Sequence, residues 1–280
     1  MCRLLKAPIF LFAASLLLGA SLWAAMSPDA DSAPEGTLPP VWALAGGHAS
    51  EAVLAPQASL PRMAPELALA TFEQRAARQL NEPISYSANT VVNAELPDTA
   101  QRGEFQLRRR FVAPKTLLFT PVRFVGDSFV KSNIIARLLQ TEVDHANKGE
   151  SARTAISEAN YKFSYKGMDE IDNRPVHVFQ VKPRAKRPGL FKGRVYLDAS
   201  TGSLRRAEGT LVKTQSFFIK KIEFVQDYAD LDGYTLPVHA RSLAKTRLVG
   251  RAVVEIATND YDLSSSTTAR AQTPIAGGSQ

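Results

Sequence analysis

The feature that most constrains the fold is a run of strand-like segments that fills the chain from residue 160 to 262. Aromatic and β-branched residues recur in it, and turn-forming connections such as MDEIDNR, DASTG and ADLDG interrupt them. Gly202 and Gly233 would supply the positive φ that such turns need. Short connections join antiparallel neighbours, so we expect a meander of seven strands. Their approximate ranges are 160–167, 174–182, 192–198, 203–213, 216–228, 234–246 and 250–262.

Helices and further strands are predicted before this meander. A helix begins near Pro65 and ends before Pro83, and its apolar face comprises Leu69, Phe72, Ala76 and Leu80. Strand patterns cover 84–96, 103–114 and 115–130, and the last comprises one or two strands with a turn at Gly126-Asp127. A second helix is predicted over 132–149 with Ser132 as its N-cap, and its apolar stripe is Ile134, Ile135, Leu138, Leu139, Val143 and Ala146. The fold class is therefore α+β, a large, strongly curved antiparallel β-sheet with helices across its concave face.

The two ends of the chain differ in composition from this region. Residues 1–25 place two cations before an apolar run and small residues, the order typical of a secretory signal peptide cleaved near Ala24. An uncleaved N-terminal anchor is the alternative. The Ala/Pro-rich segment 26–65 predicts a disordered tether and 264–280 a disordered tail, which leaves one folded domain at 66–263. We therefore expect an exported, periplasmic protein.

The sequence offers no set of residues that points to catalysis. Its only cysteine, Cys2, precedes the apolar run, so a cleaved chain would have no disulfide, thiolate metal site or cysteine nucleophile. The four histidines show no metal-ligand spacing, and GDSFV lacks the second glycine of a nucleophile elbow. We expect no cofactor, no metal and no enzymatic activity. The formal net charge of +7 suits an anionic membrane surface or an acidic partner, and nucleic acid is not expected for an exported chain.

The strands carry many large apolar side chains. A concave face that two helices fill incompletely would form a lipid-sized apolar cavity, and an ordinary packed core is the alternative. In the first case the second helix would be a lid over the apolar wall. The predicted ligand-binding residues are Phe105, Leu107, Phe111, Leu117, Phe119, Ile135, Leu138 and Leu139.

A basic segment, KPRAKRPGLFKGR at 182–194, holds six cations and no acid. A basic loop with an apolar tip suits contact with an anionic membrane. The predicted membrane-contact residues are Lys186, Arg187, Leu190, Phe191 and Lys192. The alternative is a solvated hairpin loop whose Leu190 and Phe191 pack back on the sheet.

Three stretches carry a family resemblance: GEFQLRRRFVAPKTLLFTPVRFVGDSFV, YKFSYKGMDEIDNRPVHVFQVKPRAKRPGLFKGRVYLDASTGSLRRAEGTLV and DYADLDGYTLPVHARSLAKTRLVG. They resemble the outer-membrane lipoprotein-sorting and carrier (LolA-like) family, over about 84–262. The resemblance implies a half-open barrel with helices across its concave side, which binds acyl chains or senses periplasmic signals without catalysis. It also implies an arginine on an early strand that helps to hold the lid shut, and Arg108, Arg109 and Arg110 lie in that region.

Two functions remain in competition at this point. The first is an exported carrier or binding protein for lipid or lipoprotein acyl chains. The second is a regulatory or scaffolding protein of the cell envelope, which would bind another protein through the sheet edge or the basic loop.

Overall fold

The structure is a computed structural model that describes residues 61–148, 151–214, 219–247 and 250–264. The predicted signal peptide, nearly all of the tether and the tail after 264 lie outside the described residues. Met63 is already fixed to the sheet, because its amide donates to the Ala199 carbonyl at 2.8 Å and its carbonyl lies 2.9 Å from His177 Nε2. The folded region therefore begins slightly before the predicted residue 66.

The described residues form a ten-stranded sheet and a small number of helices. The helices are α1 (Pro65–Asn81), α2 (Ser128–Val130), α3 (Ala136–Asn147) and α4 (Ser151–Thr154), with a 3-10 turn at Pro97–Thr99 and a π turn at Lys131–Ile135. The strands are β1 (Ser85–Leu96), β2 (Gln101–Val112), β3 (Thr116–Gly126), β4 (Tyr161–Ile171), β5 (Arg174–Pro183), β6 (Phe191–Asp198), β7 (Leu204–Leu211), β8 (Ile219–Leu231), β9 (Tyr234–Thr246) and β10 (Arg251–Ser264). Within these ranges, no helix combines the length and the apolar content needed to cross a bilayer.

The strand order is β3-β2-β1-β10-β9-β8-β7-β6-β5-β4, with neighbouring strands antiparallel. The predicted meander is β4 to β10, and β10 closes it onto β1. The edges of this open sheet are therefore β3 and β4, which follow each other in the chain. The helical connection between them must run from one edge of the sheet to the other. The predicted fold class, a curved antiparallel sheet with few helices, is confirmed.

One face of the sheet, here called the inner face, is covered by the helices. In β1 every second side chain is buried there, from Tyr86 to Leu96, the alternation expected of a strand with one wet face. Helix α1 contacts β6 and β9, whereas α3 contacts β3 and the π turn contacts β1 and β2. Most of the apolar core lies between these helices and the inner face.

The prediction was wrong about where the second helix begins. The predicted strand 115–130 ends at Gly126, and helical structure begins at Ser128, so Ser132 is not an N-cap. Gly126 adopts φ of 122° and lies against the Arg102 carbonyl, and the Asp127 carboxylate accepts a hydrogen bond from the Arg102 amide at 3.0 Å. This turn lies at the predicted Gly126-Asp127, but the chain after it is helical and does not form a further strand.

Candidate ligand-binding site

The structure brings the eight predicted ligand-binding residues together at the inner face, in two adjoining apolar clusters. Six of them are buried: Phe105, Leu107, Phe111, Leu117, Ile135 and Leu138. The other two, Phe119 and Leu139, are partly buried against the same clusters. The stripe of the second helix therefore lies over β1 to β3, as the lid hypothesis requires.

Under α1, the described residues leave little free space at the inner face. A crevice between α1 and the sheet offers only about 30 Å³ of free space, enough for one or two water molecules. Sites for lipid-sized molecules have volumes of roughly 300 Å³ or more. Together with the burial of the six wall and lid side chains, this volume favours the packed-core alternative for the state seen here. A long acyl chain could enter only if a helix moved away from the sheet.

A buried ion pair lies in the middle of the apolar contact between α3 and β2. Arg109 Nη2 lies 2.9 Å from Glu142 Oε2, and the two side chains are only 7% and 4% exposed. Burial acts to lower the pKa of Arg109, but the Glu142 carboxylate outweighs it and holds that pKa above its usual value. The guanidinium also stacks 5.5 Å from the centre of the Phe119 ring. Two full charges are thus enclosed among apolar side chains.

The pair settles which of the three consecutive arginines faces the helix. Arg108 and Arg110 are exposed on the other face of β2, whereas Arg109 is buried and shares the inner face with Leu107 and Phe111. Ala88 is the residue opposite Arg109 on β1, and its small side chain leaves room for the guanidinium. The sequence contained this signal, because Arg109 interrupts an alternating apolar pattern.

The second helix changes its winding before it reaches the ion pair. Residues Lys131–Ile135 form a π turn between α2 and α3, and π turns inside helices are frequent at functional sites. Ile134 and Ile135, within this turn, are buried against the sheet. The turn is a natural point at which α3 could bend relative to α2.

Several polar atoms at the inner face have no hydrogen-bond partner among the described residues. They include Arg109 Nε and Glu142 Oε2 of the ion pair, the Tyr228 hydroxyl, Gln226 Oε1, Ser242 Oγ and Arg75 Nε. Tyr228 and Arg75 both line the crevice under α1, and burial raises the pKa of the Tyr228 phenol. Buried polar groups in folded proteins nearly always have a hydrogen-bond partner. The unpartnered atoms therefore mark a place where water or a ligand oxygen would bind.

The basic segment differs from the prediction in two respects. Leu190 and Phe191 are both 0% exposed and belong to the core, so they are not an apolar tip at the surface. Arg187 donates from Nε to the Arg153 carbonyl at 3.1 Å and bonds Asn160 Oδ1 through Nη2. Its guanidinium thus holds the loop against α4. Of the predicted membrane-contact residues, Lys186 and Lys192 are exposed.

Two histidines in the described region lie within hydrogen-bond distance of neighbouring groups. His177 is buried between the Tyr165 hydroxyl and the Met63 carbonyl, and His239 lies 2.9 Å from Glu255 Oε1 on the outer face. The part of the chain that the structure describes contains no group of three or more His, Cys, Asp or Glu side chains placed to hold a metal ion.

Comparison with known proteins gives matches among solved structures. The chain is similar to LolA superfamily structures. A LolA superfamily protein from Nitrosomonas europaea is 13% identical, and the match covers 72% of this chain and 94% of that one with a TM-score of 0.34. A DUF1329 family protein from Desulfovibrio piger is 10% identical, and the match covers 69% of this chain and 92% of that one with a TM-score of 0.37. A match to the Pseudomonas aeruginosa MucA/MucB complex is 14% identical and covers 72% of this chain and 96% of that one, with a TM-score of 0.23. No family model matches the chain, and no curated protein matches it.

Proposed function

We propose that the chain is a non-enzymatic, exported protein that binds lipid or lipoprotein acyl chains between helix α3 and the inner face of the sheet. The observation that carries this proposal is the Arg109–Glu142 pair, which lies inside an otherwise apolar contact between the helix and the sheet. The eight wall and lid residues named above would line the opened site.

A buried ion pair is a poor way to hold two surfaces together permanently. Each ion loses its hydration on burial, and well-packed apolar residues of similar volume are often as stabilising or more so. When the helix moves away, both ions regain water, so opening costs less than it would for an apolar contact of the same size. The pair therefore suits a helix that must pack in one defined position and also move away from the sheet.

An acyl chain can compensate for the contacts that opening removes. Burial of each CH₂ group contributes roughly 0.8 kcal/mol. Loss of a buried leucine contact with the sheet costs a few kcal/mol. A chain of a dozen or more CH₂ groups that covers Leu107, Phe105 and the lid could therefore exceed the cost of displacing Leu138 and its neighbours.

The unpartnered polar atoms give the site one polar end. The Tyr228 hydroxyl and Arg75 Nε are both hydrogen-bond donors, and both line the crevice under α1. A carboxylate or ester carbonyl oxygen is the acceptor that such donors need. We expect the polar end of an acyl ligand to lie there and its hydrocarbon to extend towards α3.

Uptake of a fluorescent long-chain fatty acid tests the proposal. The double substitution Arg109→Met with Glu142→Leu replaces the ion pair by apolar side chains, so it should close the helix more firmly and slow or reduce uptake. Arg110→Met, one residue along the same strand but on the exposed face, is the matched control and should take up the probe as the wild type does. A folded double variant with unchanged uptake would show that α3 does not cover the site.

The second candidate function, protein binding at the sheet edges, is favoured by a different observation. Among the described residues, six large apolar side chains are exposed, and five of these lie on the edge strands β3 and β4. The five are Leu118, Val122, Val125, Tyr165 and Met168. Edge strands with exposed apolar side chains are typical places for another chain to add a strand or pack.

The two edges are not equally suited to strand addition. Both edge strands carry a bulge, opposite Gln106–Leu107 in β3 and between Tyr165 and Gly167 in β4. Strand β3 also contains Pro121, which has no amide hydrogen to donate to another strand. Strand β4 has no proline, so its edge is the better candidate. Tyr165→Ser with Met168→Ser should abolish capture of a protein partner from envelope extract and leave fatty-acid uptake unchanged. The reverse pattern would support the carrier.

A further inference from the structure

The structure separates the cations of the 182–194 segment into two groups. Its three arginines are engaged within the protein. Arg184 Nε donates to the Glu158 carbonyl at 2.6 Å, Arg187 holds Asn160, and Arg194 lies 3.9 Å from Glu208. The three lysines, Lys182, Lys186 and Lys192, are exposed.

Two of these lysines lie in a row with a third from the edge strand. Lys162 on β4 is directly opposite Lys182 on β5. The β5–β6 register ends with Val181 opposite Gly193, so one further step places Lys192 beside Lys182. Residues opposite each other point to the same face, and all three side chains are exposed on the outer face. With strands about 4.8 Å apart, the row spans about 10 Å.

The row is unfavourable for the isolated protein. Like charges directly opposite each other on neighbouring strands are destabilising. In the part of the chain that the structure describes, none of the three lysines, and not Lys186 either, has a carboxylate within ion-pair distance. Beyond Lys192 the register continues to Thr210 and then Glu223, whose carboxylate is already paired with Lys221 at 2.6 Å. An external anion would relieve this repulsion.

We propose that the row Lys162–Lys182–Lys192, together with Lys186, is a docking surface for an anionic phospholipid membrane. This surface is separate from the inner face and does not depend on what that face binds. It replaces the predicted contact through Leu190 and Phe191, which are core residues, and it adds Lys162 and Lys182, which the sequence did not single out.

The kind of cation favours a membrane over a protein partner. Arginine is the usual residue for carboxylates of a protein partner, because its fork donates two parallel hydrogen bonds, whereas lysine acts as a point charge. Here the arginines contact groups within the protein, and no carboxylate of the described residues forms an ion pair with the lysines. An array of point charges along a sheet matches a field of phosphate groups, which attracts nearby lysines in proportion to their number.

Co-sedimentation of the full chain with vesicles tests the proposal. One set contains phosphatidylcholine alone and the other contains phosphatidylcholine with 30% phosphatidylglycerol. Binding to the neutral set measures any contribution of the apolar N-terminal segment and is subtracted. The triple substitution of Lys162, Lys182 and Lys192 by Gln should weaken binding to the anionic set roughly a hundredfold, since each lysine near such a surface contributes about a fivefold factor.

A second triple substitution controls for net charge. Lys115, Lys220 and Lys245 are exposed lysines that lie outside β4 to β6, and their replacement by Gln should change binding only a few-fold. The row variant should melt no lower than the wild type, because it loses a like-charge contact. Equal losses in the two triples, or no preference of the wild type for anionic vesicles, would overturn the proposal. Row-dependent binding to a poly-glutamate peptide without vesicle binding would also overturn it and assign the surface to an acidic protein partner.

Discussion

Removal of either partner from the Arg109–Glu142 pair should destabilise the protein much more than removal of both. The two side chains are nearly inaccessible to water, so a single substitution such as Glu142→Leu leaves a full positive charge buried without a counter-ion. Arg109→Met leaves a buried carboxylate. The double variant leaves neither, and it fills the same space with apolar atoms.

The geometry of the pair sets the size of the expected changes in the free energy of unfolding. At 2.9 Å and an effective dielectric constant of about 20, the attraction between the two charges is about 5–6 kcal/mol. Desolvation of the two ions costs several kcal/mol each, so the net contribution of the intact pair is close to zero. Each single variant should lower the free energy of unfolding by about 3–5 kcal/mol, whereas the double variant should lie near the wild type or up to a few kcal/mol above it.

Urea unfolding gives the interaction energy directly when four proteins are compared. They are the wild type, the two single variants and the double variant. The account predicts an interaction energy of several kcal/mol between the two side chains. The slope of the free energy of unfolding against urea concentration should be the same in all four proteins. Single variants that lose less than about 1 kcal/mol, with additive effects in the double variant, would show that water reaches the pair. The reasoning about a separable helix would then fail.

Three further predictions concern stability. Leu138→Ala should lower the free energy of unfolding by about 2–5 kcal/mol because Leu138, a residue of α3, is buried against the sheet. Leu118→Ala on the exposed face of β3 should change it by less than about 1 kcal/mol, and urea midpoints at equal protein concentration compare the two variants. The Arg251 amide and guanidinium hold the pKa of Asp98 below its usual value, so the Asp98 carboxylate stabilises the fold above about pH 4 and loses this effect as the pH falls through the lowered pKa. Asp98→Asn should therefore be less stable than the wild type at pH 7, with a smaller difference at pH 2–3, and an equal difference at both pH values would contradict this. Gly193→Ala should lower the melting temperature, because its Cβ would lie 1.9 Å from a backbone oxygen of β7; an unchanged melting temperature would mean that the two strands can separate.

The fold could be predicted in large part from local pattern. Alternation and turn residues placed the meander, and the turns at Gly202 and Gly233 have the expected positive φ. Pairing of β1 with β10 could not be predicted in this way, because it joins residues 158 to 179 positions apart. The early start of the second helix was missed as well, since the apolar residues before Val130 fit a strand as well as they fit a helix.

The candidate site was only partly predictable. Its apolar residues follow from the two periodicities, and the structure does place the helix stripe on the inner face. The ion pair joins two residues from separate elements. Arg109 interrupts an apolar alternation and Glu142 follows Leu138 by four residues on the buried stripe, but neither pattern shows that the two residues meet. The free volume could not be predicted, because it depends on how side chains of distant strands and helices fill one space. The predicted membrane contact through Leu190 and Phe191 was wrong, and the alternative in which these two residues pack back on the sheet is confirmed.

The central claim is that acyl chains bind between helix α3 and the inner face. Native mass spectrometry of the full chain, expressed in a Gram-negative host and purified without detergent, tests it most directly. The account predicts a fraction of wild-type protein with added mass that matches a lipid or fatty acid, and a smaller fraction for the Arg109→Met, Glu142→Leu double variant under the same conditions. Wild-type protein that carries no lipid mass and is recovered instead with a second polypeptide would contradict the claim and support protein binding at the sheet edge.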